Sequence, residues 1–295
     1  MTATPRFHRP RALDAALALL AAEAHRGASG DAPRILAGGT DVYPSLRDGP
    51  AAFAALDVSG LDALRGASET AEGWRIGAAT TWTMIARGAL PPAFDALRAA
   101  AREVGGAQIQ NAGTIGGNLC NASPAADGVP PLLALDAQVE LASLRGVRRL
   151  PLGDFLLGPR RTARAPDELM TAVLIPPQPE AARSAFVKLG ARVHLVISIG
   201  MVAALLAPDA QGRVGAARVA VGACSAVAQR LPALEAALVG APWDGRALAA
   251  IPDPAHLAPL SPIDDIRASA AYRRAAALEL VRRALGMAAG EAAAA

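Results

Sequence analysis

The sequence predicts an α+β fold in two parts, residues 1–176 and 183–288. The first part divides into subdomains at about 1–60 and 61–176, and the second is a three-stranded sheet followed by a helical bundle. Three observations predict this. Short apolar runs alternate with helical stretches up to residue 60, and antiparallel-type strands with hairpin signals follow to residue 176. Beyond a proline-rich break, three strands precede every helix. At 295 residues the chain also exceeds the usual size of one domain.

The first expected element is a helix over about residues 11–26, because Leu13, Ala16, Leu17, Leu20 and Ala21 share one face. This stretch follows several arginines and ends in small residues, as a signal peptide would, but Asp14 and Glu23 interrupt it. It therefore reads as an amphipathic helix. After the polar stretch HRGASGDAP, Ile35 and Leu36 form a short strand that stops at Gly38-Gly39. A short helix or turn then leads to a second strand at 54–58.

GWRIGAATTW (73–82) alternates like an antiparallel strand, and residues 91–105 have a helical period. A glycine-rich turn and a helix-like start at VPPLLAL follow. VELAS reads as a strand, with a hairpin turn at Arg145-Gly146, and TAVLIP (171–176) as another. PPQPEAAR (176–183) reads as a linker. SAFVKLG, LVISIGMVAALLA and AARVAVGAC read as strands, with helices at 227–238, 244–250 and 263–287 and a frayed tail GEAAAA.

Composition removes several function classes. With 53% hydrophobic and 19% charged residues the chain is globular. The net charge of +3 comes from basic residues scattered among acids, which does not suit a nucleic-acid partner. The longest apolar run, 195–208, falls short of the ~20 residues of a membrane span. Cys120 and Cys224 imply neither a disulfide framework nor a zinc site, and the four histidines show no ligand spacing, so no metal is expected on this chain. A reducing, cytoplasmic location is expected. Cys120 reads as a small buried hydrophobe, or as a pocket residue because it sits in the glycine cluster.

Of the 29 basic residues only Lys188 is a lysine. It is either a survivor of arginine-biased composition or a place where a compact ammonium works and a guanidinium does not.

Two glycine motifs carry the chemistry. LAGGTD (36–41) follows a strand and AGTIGGN (112–118) follows a helix; in each, a glycine pair leaves backbone N–H groups unshielded beside Thr or Asn. Such nests favour anions, and two facing one another would hold a pyrophosphate. Neither matches the Walker or the G-x-G-x-x-G pattern. Either one alone is more often a tight turn that holds nothing.

The ordered pair AGGTD (37–41) and NAGTIGGNLCNASPAAD (111–127) is followed by VELAS, RRLPLGDF, GPRRT, DELMTAVLIP and AFVKLGAR. This series resembles the FAD-binding medium subunit of the molybdenum hydroxylases, a family that includes xanthine dehydrogenase, carbon monoxide dehydrogenase and 4-hydroxybenzoyl-CoA reductase. The resemblance covers about residues 5–285. It implies a two-subdomain FAD-binding domain of the vanillyl-alcohol-oxidase-like (PCMH) type, followed by the family's C-terminal domain.

By the same resemblance, Ile35, Leu36, Ala37, Gly38, Gly39, Thr40, Asp41 and Val42 form a first diphosphate loop, and Thr114, Ile115, Gly116, Gly117 and Asn118 a second. Asp127 would hold the adenosine part through a ribose hydroxyl. Val104 and Ile109 would lie by the flavin, Leu169 or Met170 beneath the adenine or the ring, and Lys188 near the flavin. Arg192 and His194 stand where the family varies and receive no role.

No run of cysteines for iron–sulfur clusters is present, so the [2Fe–2S] clusters and the molybdopterin are expected on a small and a large partner subunit. The implied activity is electron transfer: substrate is oxidised on the large subunit, electrons pass through the clusters to FAD, and then to NAD+, dioxygen or another acceptor. A heterotrimer or its dimer is the expected assembly. Two alternatives stay open, a self-contained FAD oxidoreductase of the wider fold and a non-catalytic scaffold. A visible spectrum and co-purifying metal-bearing subunits separate the three.

Overall fold

The computed structural model describes residues 7–26, 33–46, 53–193 and 195–290. His194, the tail beyond residue 290 and most of the polar stretch after the first helix lie outside the described residues. The first sheet is parallel and three-stranded. Strand β1 (Phe7–His8) and strand β2 (Arg34–Leu36) flank strand β3 (Ala55–Asp57). Helix Leu13–Arg26 makes the crossover, and its Ala16, Leu17 and Leu20 pack with Leu56, Val58 and Leu61 in a small core. That core reaches Ala142 and Leu169 of the next sheet, so the two subdomains are joined by packed side chains.

The second sheet is antiparallel. It contains β4 (Ala67–Thr70), β5 (Gly73–Gly77), β6 (Gln138–Ser143), β7 (Gly146–Pro151) and the later strand β10 (Leu169–Ile175), in the order β4-β5-β10-β6-β7. The expected hairpin joins β6 to β7, with Gly146 at φ +122°. A small ribbon, β8 (Leu156–Gly158) with β9 (Arg161–Thr162), precedes β10.

The expected strand 73–82 stops at Gly77. A Cβ there would lie 2.3 Å from the Leu64 carbonyl oxygen, so the chain packs closely at this point. Five residues further on, helix Trp82–Arg87 begins, where the Thr81 side chain caps the Met84 amide and Trp82 is fully buried. The expected glycine-rich turn is largely helical, with helices Ala107–Ala112 and Ile115–Asn121.

The third sheet is antiparallel, in the order β11 (Arg183–Leu189), β12 (Gly200–Pro208), β13 (Val214–Gly222) and β14 (Gln229–Arg230). The two-residue β14 adds to the three strands expected, and helix formation there waits until Pro232. Strand β12 begins at Gly200, later than residue 195, because Leu195 has φ +53°, which no strand accommodates. The last helix, Ala270–Ala288, starts where Ser269 accepts a hydrogen bond from the Tyr272 amide.

Every residue from Gly200 to Ala207 is buried, and the strand's alternation divides them between two cores. Met201, Ala203 and Leu205 face the N-terminal core with Leu97, Leu119 and Val173; Val202, Ala204 and Leu206 face the C-terminal helices through Leu234, Leu248 and Val281. A strand covered on both sides reads as an unbroken apolar run, which is how it appears in the sequence. The proline-rich connection 176–182 is pinned down. Gln178 donates to the Leu135 carbonyl and accepts from Arg218, and Ala182 is buried.

Candidate functional site

At the C-terminal end of β2 the Leu36 side chain turns into the core and the backbone bends through Gly38 and Gly39, the latter at φ +69°. A Cβ on Gly38 would stand 1.8 Å from the Ala112 carbonyl oxygen. Only glycine allows this loop to lie against the start of the second motif. Among the described residues no acceptor takes the amides of Gly38, Gly39 or Thr40. Tyr43 closes the loop by donating its amide to the Gly39 carbonyl at 2.9 Å.

The second motif is built differently. Thr114 caps helix Ile115–Asn121 by accepting from the Gly117 amide at 3.0 Å. Ile115 donates to the Thr80 carbonyl at 3.0 Å, Gly116 to the Ala78 carbonyl at 2.9 Å, and Asn118 to the Thr114 carbonyl at 3.0 Å. The expectation of unshielded amides therefore fails here, because the fold itself consumes them. Gly116 serves close packing, since a Cβ there would come within 2.7 Å of Ala78. At Gly117 a Cβ would meet a single atom, the capping Thr114 Oγ1, at a tight 3.0 Å.

Both motifs line one cleft of about 560 Å³. The first contributes Ile35 and residues 37–42, and the second Thr114, Gly116, Gly117 and Asn118. Val104, Ile109, Leu169 and Met170 supply apolar wall. Leu36 and Ile115 are buried in the core and do not line the cleft. The volume lies within the ~300–1,000 Å³ typical of small-molecule sites.

Asp127 and Lys188 also lie apart from the cleft wall. Lys188 Nζ donates to Asp127 Oδ2 at 2.8 Å and to the Glu103 carbonyl at 3.1 Å, while Ser198 Oγ donates to Asp127 Oδ1 at 2.7 Å. Burial pushes the Asp127 carboxyl up from its ordinary value, and Lys188 beside it pulls in the opposite direction. Each carboxylate oxygen takes one hydrogen bond inside the chain, from Lys188 and from Ser198, and Asp127 does not line the cleft. Lys188 lines a second hollow of about 580 Å³ with Arg102, Glu103 and Arg192. Its acceptor Glu103 immediately precedes Val104 of the cleft.

The sequence reasoning missed several cleft residues. Arg34, Arg160 and Arg164 line it, and Asp41 is its one acidic residue among those described, which leaves the wall net positive. Arg160 and Arg164 lie in GPRRTAR, whose paired basic residues were the available signal. Trp82 and Asn121 also line the cleft, as does Cys120, whose thiol burial pushes up to about 11 and so keeps neutral near pH 7. The buried Asn118 Oδ1 has no hydrogen-bond partner among the described residues. Free amides, a positive wall and flanking apolar surface suit an extended ligand with an anionic middle.

Comparison with known proteins decides the family. Residues 3–178 match the FAD binding domain in molybdopterin dehydrogenase, and residues 185–288 match the CO dehydrogenase flavoprotein C-terminal domain. The chain belongs to the FAD-binding molybdopterin dehydrogenase family. It is an FAD-binding medium subunit of the molybdenum hydroxylase type.

The xanthine dehydrogenase FAD-binding subunit of Escherichia coli O157:H7 is 35% identical over 273 residues, 90% of each chain. The carbon monoxide dehydrogenase medium chain of Hydrogenophaga pseudoflava is 28% identical over 291 residues, 96% of this chain and 97% of that one. Among solved structures, reconstituted CO dehydrogenase from Oligotropha carboxidovorans superposes with a TM-score of 0.87 at 28% identity, covering 99% of this chain and 100% of that one. Quinoline 2-oxidoreductase from Pseudomonas putida 86 gives 0.83 at 26% identity, covering 98% of each chain. Among the described residues of this family member, no helix is long and apolar enough to cross a membrane.

Proposed function

We propose that this chain holds FAD in the cleft between residues 37–42 and 114–118. It would link the iron–sulfur clusters of a small partner subunit to an external acceptor, NAD+ or dioxygen. The observation that carries the reading is the convergence of the two glycine motifs on one positive cleft. When bound, FAD supplies redox chemistry that accepts and releases one or two electrons.

The chain's own residues do the holding. The amides of Gly38, Gly39 and Thr40 donate to the diphosphate, and Gly117 keeps the opposite wall clear. Val104, Ile109, Leu169 and Met170 give apolar contact to the rings and exclude water. Lys188 stands behind Val104, its charge balanced by Asp127, close to the apolar end where the flavin ring packs. Substrate oxidation belongs to a molybdopterin-bearing large subunit, and the assembly is a heterotrimer or its dimer in the cytoplasm.

The test is to purify the native complex, identify the flavin released on denaturation, and follow substrate-driven reduction with NAD+ and with dioxygen. FAD in equimolar amount with this chain, and reduced NAD or peroxide as product, are the expected results. A complex that contains the chain but releases no FAD would remove the reading.

A further inference from the structure

Arg160 holds a backbone conformation unusual for a residue with a side chain, φ +59°. Its amide donates at 3.0 Å to the carbonyl of Ala122, itself at φ +46° where helix Ile115–Asn121 ends. Two left-handed residues thus brace each other. The turn between β8 and β9 is held against the second motif at some conformational cost.

The result is a guanidinium at the cleft wall. It donates to Asn121 Oδ1 and stands 3.7 Å from Asp41 Oδ1, so it bridges both glycine motifs. The side chains of Arg160 and Asp41 are 62% and 59% exposed, and an ion pair so solvated is easily exchanged. The other cleft arginines are committed. Arg164 Nη1 donates to the carbonyls of Ala165 and Glu168, and the Arg34 guanidinium lies 4.4 Å from the Phe53 ring centre.

We propose that Arg160 is the diphosphate clamp of this cleft, exchanging Asp41 for phosphate oxygens and closing the anion site opposite the free amides of the first loop. Amides recognise a phosphate by direction, while a guanidinium adds charge and a two-pronged grip. The inference rests on FAD being the ligand of the cleft.

The experiment strips FAD from the purified complex and measures rebinding by flavin fluorescence at several salt concentrations. Arg160→Gln keeps a Cβ, so the backbone at 160 is equally strained in both proteins. FAD affinity should fall roughly 10- to 100-fold in Arg160→Gln, its dependence on salt should flatten, and Arg160→Lys should recover the salt dependence with part of the affinity. The melting temperature of the flavin-free protein should not move. An Arg160→Gln protein that binds FAD within about twofold of wild type overturns the clamp. So does a loss of affinity with unchanged salt dependence and a lowered flavin-free melting temperature, which would mark a purely structural residue. Failure of the wild-type complex to bind FAD would instead remove the proposed function.

Discussion

At residues 38–40 three consecutive amides are left without an acceptor among the described residues, whereas at residues 115–118 four consecutive amides are spent on Thr80, Ala78 and Thr114. Both segments carry a glycine pair followed by a small polar residue, Thr40 in one and Asn118 in the other, and as text they look alike. In space the first is a donor surface. The second is a packing joint that places a small-residue wall across from it. Glycine is needed in the first because the loop presses on the Ala112 carbonyl, and at Gly116 because the helix presses on Ala78. Only at Gly117 does a missing side chain leave the cleft open.

The largest expected effect comes from Gly38→Ala, which sets a methyl carbon 1.8 Å from backbone oxygen that has nowhere to go. The two motifs must separate, with a loss of about 3 kcal/mol and no flavin absorption in the purified protein. Thermal melting together with a visible spectrum checks it, and a stable, yellow variant would break the claim that the motifs meet here. Gly116→Ala should cost about 1–3 kcal/mol in chemical denaturation while each folded molecule keeps near-normal FAD affinity, since that glycine serves the joint. Weakened FAD binding without lost stability would reverse the assignment. Gly117→Ala is the mildest. It should shift stability by no more than about 1 kcal/mol as the Thr114 hydroxyl gives way at the helix cap, yet lower FAD retention on gel filtration, because the cleft wall gains a methyl group.

Much of this was legible from residues alone, and the misses have a common cause. The parallel unit at β2 and β3, the hairpin at Arg145-Gly146 and the apolar strand at 200–208 are patterns of period or turn chemistry, and a single sequence carries those. Which amides remain free is decided by the partners Thr80 and Ala78, far from the motif in local pattern, so the two glycine pairs looked equivalent. The same applies to Asp127. Its type suits a ribose acceptor, while the partners it has in the fold, Lys188 and Ser198, lie 61 and 71 positions away. Arg160 escaped notice because its importance lies in a backbone angle and two neighbours, and arginines are common in this composition.

One ammonium group, 7% exposed, sits where the C-terminal sheet meets the segment leading into the cleft. Within these 295 residues it is the only amine-bearing side chain. Reagents that acylate amines, whether laboratory labels or reactive thioesters, will find no side-chain target on the folded protein until that seam opens. Positive side-chain charge on this protein is carried almost wholly by guanidinium groups.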